Sequence, residues 1–337
     1  MLTLLVSAAG LAAQNTRGAA AGQLAGRSQK SSPPPPGIHF SASALGGVMY
    51  GAGIELVYGA PSGADYLSRL DWDMKPLYYY GFVLRVLFET PHPAWRPFVA
   101  FTFKNGLTGN TGFLEDRDWL DQIHRELTHF SRHDNFTRYA LFLDLNFGTQ
   151  FRPWKTGESL RFNFYFTFSW MNLMWESRDG YIQYSPGSNS TPPAYPPWDP
   201  SLPAIPNTGA AINYSQTWFI AAPAVGVEFP FLRTFVLEAA VAAGPLNFCV
   251  GDDYHIKRNM RFHDSSRWGI YFKPAVKFRF SPVRQLTFSV HGAWTLLTGV
   301  WGSSRTSTGD SNSWQDQGMT GAGLDLWEAG VSVSFNP

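Results

Sequence analysis

The chain has 337 residues, with 26 Lys and Arg against 25 Asp and Glu, and its formal net charge of +1 removes the electrostatic case for a nucleic-acid partner. Aromatic residues make up 16% and charged residues only 15%, well short of the roughly one quarter of an ordinary soluble domain, and a water-exposed surface of that composition would aggregate. The single Cys249 excludes an internal disulfide framework and a multi-thiolate metal site, and no apolar run approaches the ~18 residues of a membrane helix.

Residues 1–14, MLTLLVSAAGLAAQ, join a short apolar stretch to small residues suited to cleavage near Ala12 to Gln14. They read as the remnant of a secretory signal, without the usual basic start. Residues 15–37, rich in Ala, Gly and Ser and running into SSPPPP, read as a flexible linker. From Phe40 onward the pattern has period two. In RFNFYFTFSW, Phe162, Phe164, Phe166, Phe168 and Trp170 share one face, and Arg161, Asn163, Tyr165, Thr167 and Ser169 the other. YALFLDLNFG and LTFSVHGAW alternate likewise. A soluble sandwich also alternates, but its strands run to about 5 to 6 residues, and these are about twice as long.

Segments of this kind fall at 38–57, 70–89, 95–107, 137–152, 160–176, 212–229, 231–250, 268–282, 285–301 and 320–335. Short links such as FPFLR and SPVRQ alternate with long polar ones at 58–69, 108–136, 177–211, 251–267 and 302–319. Short turns at one end and long loops at the other predict an all-β, ten-stranded antiparallel up-and-down transmembrane β-barrel over residues 38–337, multi-pass in a cell outer membrane. Trp and Tyr residues, as in PLYYYGF, suit the membrane interface, and Cys249 suits a small packed position.

In that topology the long loops share one rim. FLEDRDWLDQ carries Asp116 and Asp118, and GDDYHIKR carries Asp253 and His255. On strands extended above the membrane, residues at i and i+2 point to one side, so each pair presents two groups together. A His held by a carboxylate can take a proton from water, and two close carboxylates share a proton that a leaving group can use. This chemistry suits hydrolysis without a covalent intermediate. Either motif alone is common in solvated loops, and His124, His129, His133 and His263 read as a scatter of solvated imidazoles.

GIELVYG through YLSRLDW, with Glu55 and the block Ser68, Leu70, Asp71 and Trp72, together with EDRDWLD, SRHDNFT, WESRDGYIQY and DDYHIKR, resembles the omptins in five ordered stretches between Gly47 and Phe335. Omptins are ten-stranded outer-membrane proteases with their active site at the extracellular mouth. The resemblance implies an aspartic-type endopeptidase acting on polypeptide substrates at the cell surface, near basic residues. Asp253 and His255 would be the dyad that activates water, with Asp116 and Asp118 facing them. Glu55 would sit at the base of the pocket for a basic side chain. No metal or cofactor is implied, only outer-membrane lipid, with Glu176 and Arg178 among the residues that hold it.

The departures bear on specificity. The family's acid two residues before the dyad Asp is Gly251 here, with Asp252 adjoining as the substitute carboxylate for substrate binding. The acid serving the position after the cut is His129, the Trp and Pro of that stretch are Leu127 and Asp134, and Met174 and Thr217 stand where lipid-contacting Tyr and Arg are expected. Two non-enzymatic readings stay open: the same scaffold serving as an adhesin or surface antigen, and a simple pore.

Overall fold

The alternating segments pair into one closed sheet in the computed structural model, which describes residues 37–58, 66–92, 94–121, 125–153, 160–187, 195–309, 311 and 313–337. The signal-like segment, the linker as far as residue 36, and His124 lie outside the described residues. In chain order the strands are β1 (Ile38–Tyr58), β2 (Tyr66–Phe88), β3 (Trp95–Gly106), β4 (Gly109–Asp118), β5 (His129–Phe151), β6 (Arg161–Tyr184) and β7 (Ile205–Pro206). There follow β8 (Ala210–Leu232), β9 (Phe235–Gly244), β10 (Leu246–His255), β11 (Met260–Arg267), β12 (Ile270–Val283), β13 (Leu286–Thr308) and β14 (Gln315–Phe335).

Hydrogen bonding groups these into ten staves. Both β3 and β4 lie between β2 and β5. Both β9 and β10 pair with β8, and both β11 and β12 pair with β13, so each couple is one interrupted stave. The two-residue β7 flanks β6 in an outer connection. The ring closes where β1 pairs with β14, from Ala42↔Phe335 to Val57↔Thr320. Closure leaves no unpaired edge, which a sheet in lipid requires.

The two faces are inverted relative to a soluble protein. Leu145, Phe147, Phe164, Phe166, Phe168 and Phe219 point outward and are exposed, while Asn163, Thr167 and Ser169 are buried inside. Phe147 stacks on Phe166 and Phe168 at 6.2 and 5.6 Å, a continuous apolar skin suited to acyl chains. Inside, Glu228 accepts from Arg279 at 2.7 Å, Gln150 at 2.8 Å and Arg161 at 3.3 Å. Glu328 accepts from Lys104 at 2.6 Å, and Asp144 from Lys273 at 3.2 Å. Buried charges are tolerated only when paired in this way, and these pairs line the lumen.

The strands run farther, and the outer connections are shorter, than apolar alternation predicts. The predicted loop 108–136 is mostly β4 and the start of β5, and 251–267 is the rest of β10, a 3₁₀ turn at Ile256–Arg258, and β11. Above the lipid both faces of the sheet meet water, so both carry polar residues and the period-two signal fades while the hydrogen-bond ladder continues. At the tip of β10–β11, Asn259 at φ 51° takes the left-handed conformation that reverses the chain.

Candidate active site

The ladder above the lipid fixes which side chains meet. In β4, Asp116 pairs with Leu70 and Ser131, and Asp118 with Ser68 and His129, so both carboxylates face the same side. Ser68 Oγ donates to Asp116 Oδ1 at 3.1 Å. In β10, Gly251, Asp253 and His255 likewise share the inner face. His255 Nε2 lies 2.7 Å from Asp253 Oδ2, and the imidazole stands edge-on to Phe262 with centroids 5.3 Å apart. Asp253 is 4% exposed, and its buried Oδ1 has no hydrogen-bond partner among the described residues.

The two pairs converge. A cleft of about 440 Å³ is lined by Asp116, Asp118, His129, Tyr184, His255 and Arg258, among others. Loss of hydration and the adjacent Asp118 charge push the Asp116 carboxyl well above its ordinary range, with Asp253 adding to the effect. Burial also raises Asp118, against the pull of Ser68, His129, Arg258 and His255. In such a place each carboxyl holds its proton more tightly than it would in water.

Beneath the cleft lies an aromatic floor. Trp72 stacks on Tyr214 at 5.2 Å and on Trp175 at 6.0 Å, and all three are fully buried. A Cβ on Gly53 would meet Trp175 at 2.6 Å, so only glycine lets β1 approach that ring. Glu55, 2% exposed, accepts a long bond of 3.4 Å from Trp72 Nε1. Burial raises its pKa well above the usual value, and the negative charges of Asp253, Asp264 and Asp116 raise it further.

Asp264 is the residue that sequence reasoning missed. It pairs with Gly251 across β10–β11, where a Cβ on Gly251 would lie 3.3 Å from its own Cβ. Thr320 Oγ1 donates to its Oδ2 at 2.8 Å and the Ser304 hydroxyl also favours the charged form, while among the described residues the buried Oδ1 has no hydrogen-bond partner. Burial pushes its pKa up to about 6. The predicted Asp252 faces the other way: strand alternation turns it outward, exposed, with Oδ1 2.7 Å from His263 Nδ1. The acid that accompanies Glu55 thus comes from the neighbouring strand. It was legible only by counting outward from the IKRN tip to pair 251 with 264.

His129 and His133 are buried rather than solvated. His129 packs on Tyr184 at 4.5 Å and Tyr195 at 5.0 Å, and burial lowers its pKa while Asp118 opposes the shift. Glu176 and Arg178 lie on the outer face of β6, where Glu176 bridges Arg138 at 2.5 Å and Arg178 at 3.3 Å, and both guanidinium groups lie against Phe136. Cys249 is buried within β10. Among the described residues no three His, Cys, Asp or Glu side chains are grouped so as to hold a metal ion.

The profile of the omptin family matches residues 38–336. The crystal structure of outer membrane protease OmpT from Escherichia coli superposes with a TM-score of 0.74 at 19% identity, over 89% of this chain and 97% of that one, a likeness of fold. The attachment invasion locus protein Ail of Yersinia pestis and the transport unit of the autotransporter AIDA-I from Escherichia coli give TM-scores of 0.28 and 0.33 at 9% and 7% identity. Each match covers 88% of this chain, with 99% and 90% of those chains. No curated protein sequence matches the chain.

Proposed function

This chain belongs to the omptin family of outer-membrane barrels, and on that premise we propose that it is an endopeptidase that hydrolyses polypeptides at the cell surface with water activated by His255 and Asp253. The observation that carries the reading is the 2.7 Å His255–Asp253 contact in the same cleft as Asp116 and Asp118.

Asp253, bonded to Nε2, holds the imidazole in one tautomer and leaves Nδ1 as the base. Nδ1 takes a proton from water as the oxygen attacks the peptide carbonyl, and Asp253 stabilises the imidazolium that forms. Asp116 and Asp118 lie opposite and give a proton to the leaving amine as the C–N bond breaks. The imidazolium proton then restores the acid pair through solvent, so no covalent intermediate is needed.

Glu55 and Asp264, deep and without a cation among the groups that act most strongly on Glu55, suit a substrate Arg or Lys. A guanidinium there would relieve the mutual repulsion of the acids through charge-assisted bonds. On the outer face, Arg138 and Arg178 suit lipid phosphate, with Glu176 holding both guanidinium groups in place.

The test is cleavage of internally quenched basic-site peptides by the refolded barrel and by the His255→Ala and Asp116→Ala variants. Turnover by the parent and a loss of about 10²-fold or more in each variant support the reading, general acid–base groups being worth about 10²–10⁴. Equal rates in all three defeat it.

A further inference from the structure

We infer that the polypeptide taken by this cleft carries opposite charges across the cut: a basic side chain reaching down to Glu55 and Asp264, and an acidic residue on the other side of the scissile bond lying against His129, Lys257 and Arg258. The inference rests on the peptidase reading and adds the substrate class.

Charge is segregated across the catalytic groups. The deep end is acidic, with Glu55 and Asp264 both under a tenth exposed and, among the described residues, with buried, unpartnered oxygens on Asp264 and Asp253. A buried carboxylate oxygen without a donor is costly, and a cationic side chain inserted from above would satisfy it.

The rim is basic. Lys257 and Arg258 form the 3₁₀ turn at the tip of β10–β11, both exposed and both lining the cleft. Lys257 Nζ donates to Asn207 Oδ1, a neutral partner that fixes the ammonium without cancelling its charge. Among the described residues no carboxylate forms an ion pair with either side chain; Arg258 acts through space on Asp116 and Asp118. Burial favours the neutral form of both, so they offset the cations only in part. His129, whose Nδ1 donates to the Thr128 hydroxyl at 3.0 Å and whose ring packs on two tyrosines, continues the same wall without adding a negative charge. A basic residue after the cut would meet Lys257 and Arg258 as like charges, whereas Glu or Asp would meet two donors already in place.

The experiment compares kcat/KM for two internally quenched peptides identical except for the bond cut, Arg-Glu and Arg-Arg, at low ionic strength, with mass spectrometry locating the cut. The parent is expected to favour Arg-Glu by about tenfold or more, the size of one hydrogen bond to a charged group. The ratio should reverse in Lys257→Glu/Arg258→Glu. Should that double variant fail to fold, Arg258→Ala at the exposed tip is read instead and brings the ratio toward one. A parent that prefers Arg-Arg, or a ratio that both variants leave unchanged, overturns the inference while the peptidase reading stands. Absence of cleavage of either peptide overturns both.

Discussion

Replacing Asp264 by Asn separates an acid kept for a ligand from an acid kept for the fold. The carboxyl titrates at about 6 in the folded barrel against an ordinary 3.8, a shift of about 2 units, and one unit is worth about 1.4 kcal/mol. Burial raises this pKa, so the folded state binds the proton more tightly than the unfolded chain. Folding is therefore undisturbed by this group below the unfolded value, loses stability as pH rises from about 4 to about 6, and carries the full cost above that. Asn carries no such charge. The stability difference between Asp264→Asn and the parent should therefore move in favour of the variant by about 2–3 kcal/mol between pH 4 and pH 8. Lost or altered bonds to Thr320 are nearly independent of pH and cancel in that comparison. The assay is reversible urea unfolding in lipid–detergent micelles, followed by tryptophan fluorescence at both pH values. A difference that is the same at pH 4 and pH 8, or that turns against the variant at pH 8, would refute the reasoning.

Asp253→Asn should cost about 10²–10⁴ in kcat, the range for a general-base assembly, with the unfolding midpoint held or raised because one of four mutually repelling acids is gone; steady-state kinetics alongside melting checks both. Asp118→Asn should move the alkaline limb of the pH–rate profile downward, because the Asp118 charge is what helps to raise Asp116 and its removal lets that acid ionise earlier. Glu228→Ala should destabilise the barrel by about 3–5 kcal/mol, since Arg279 and Arg161 lose their buried counter-charge, and urea unfolding measures it. Because Asp144 of β5 and Lys273 of β12 pair across the interior, planar-bilayer recordings should show no steady conductance from the parent.

Much of this architecture was readable from residue order. The Phe164, Phe166, Phe168 alternation against Asn163, Thr167 and Ser169 gave the lipid-facing and inner faces, and the ten segments became ten staves. Spacing also brought Asp116 with Asp118 and Asp253 with His255, because i and i+2 share a face in any strand. Strand ends were not readable, since above the membrane both faces are polar while the ladder persists. Asp264 was hidden for a different reason: its place beside Glu55 follows from cross-strand register with Gly251, which depends on where the hairpin turns. Asp252, adjacent in sequence to Asp253, was the nearer candidate, yet neighbours along a strand point apart. His129 and His133 looked solvated because their burial comes from Tyr184 and the Asp179 carbonyl, both supplied by other segments.

Both acid pairs and the imidazole ride on continuous backbone ladders instead of on pliable connections. Among the described residues, side chains carried on such ladders have little means of folding around a visitor, so the visitor must do the conforming. Tails, interdomain tethers and other slack stretches of polypeptide would enter readily, whereas a tightly knit globule would have to open first. Susceptibility of a given target should then follow how often its chain loosens locally as much as which residues it displays.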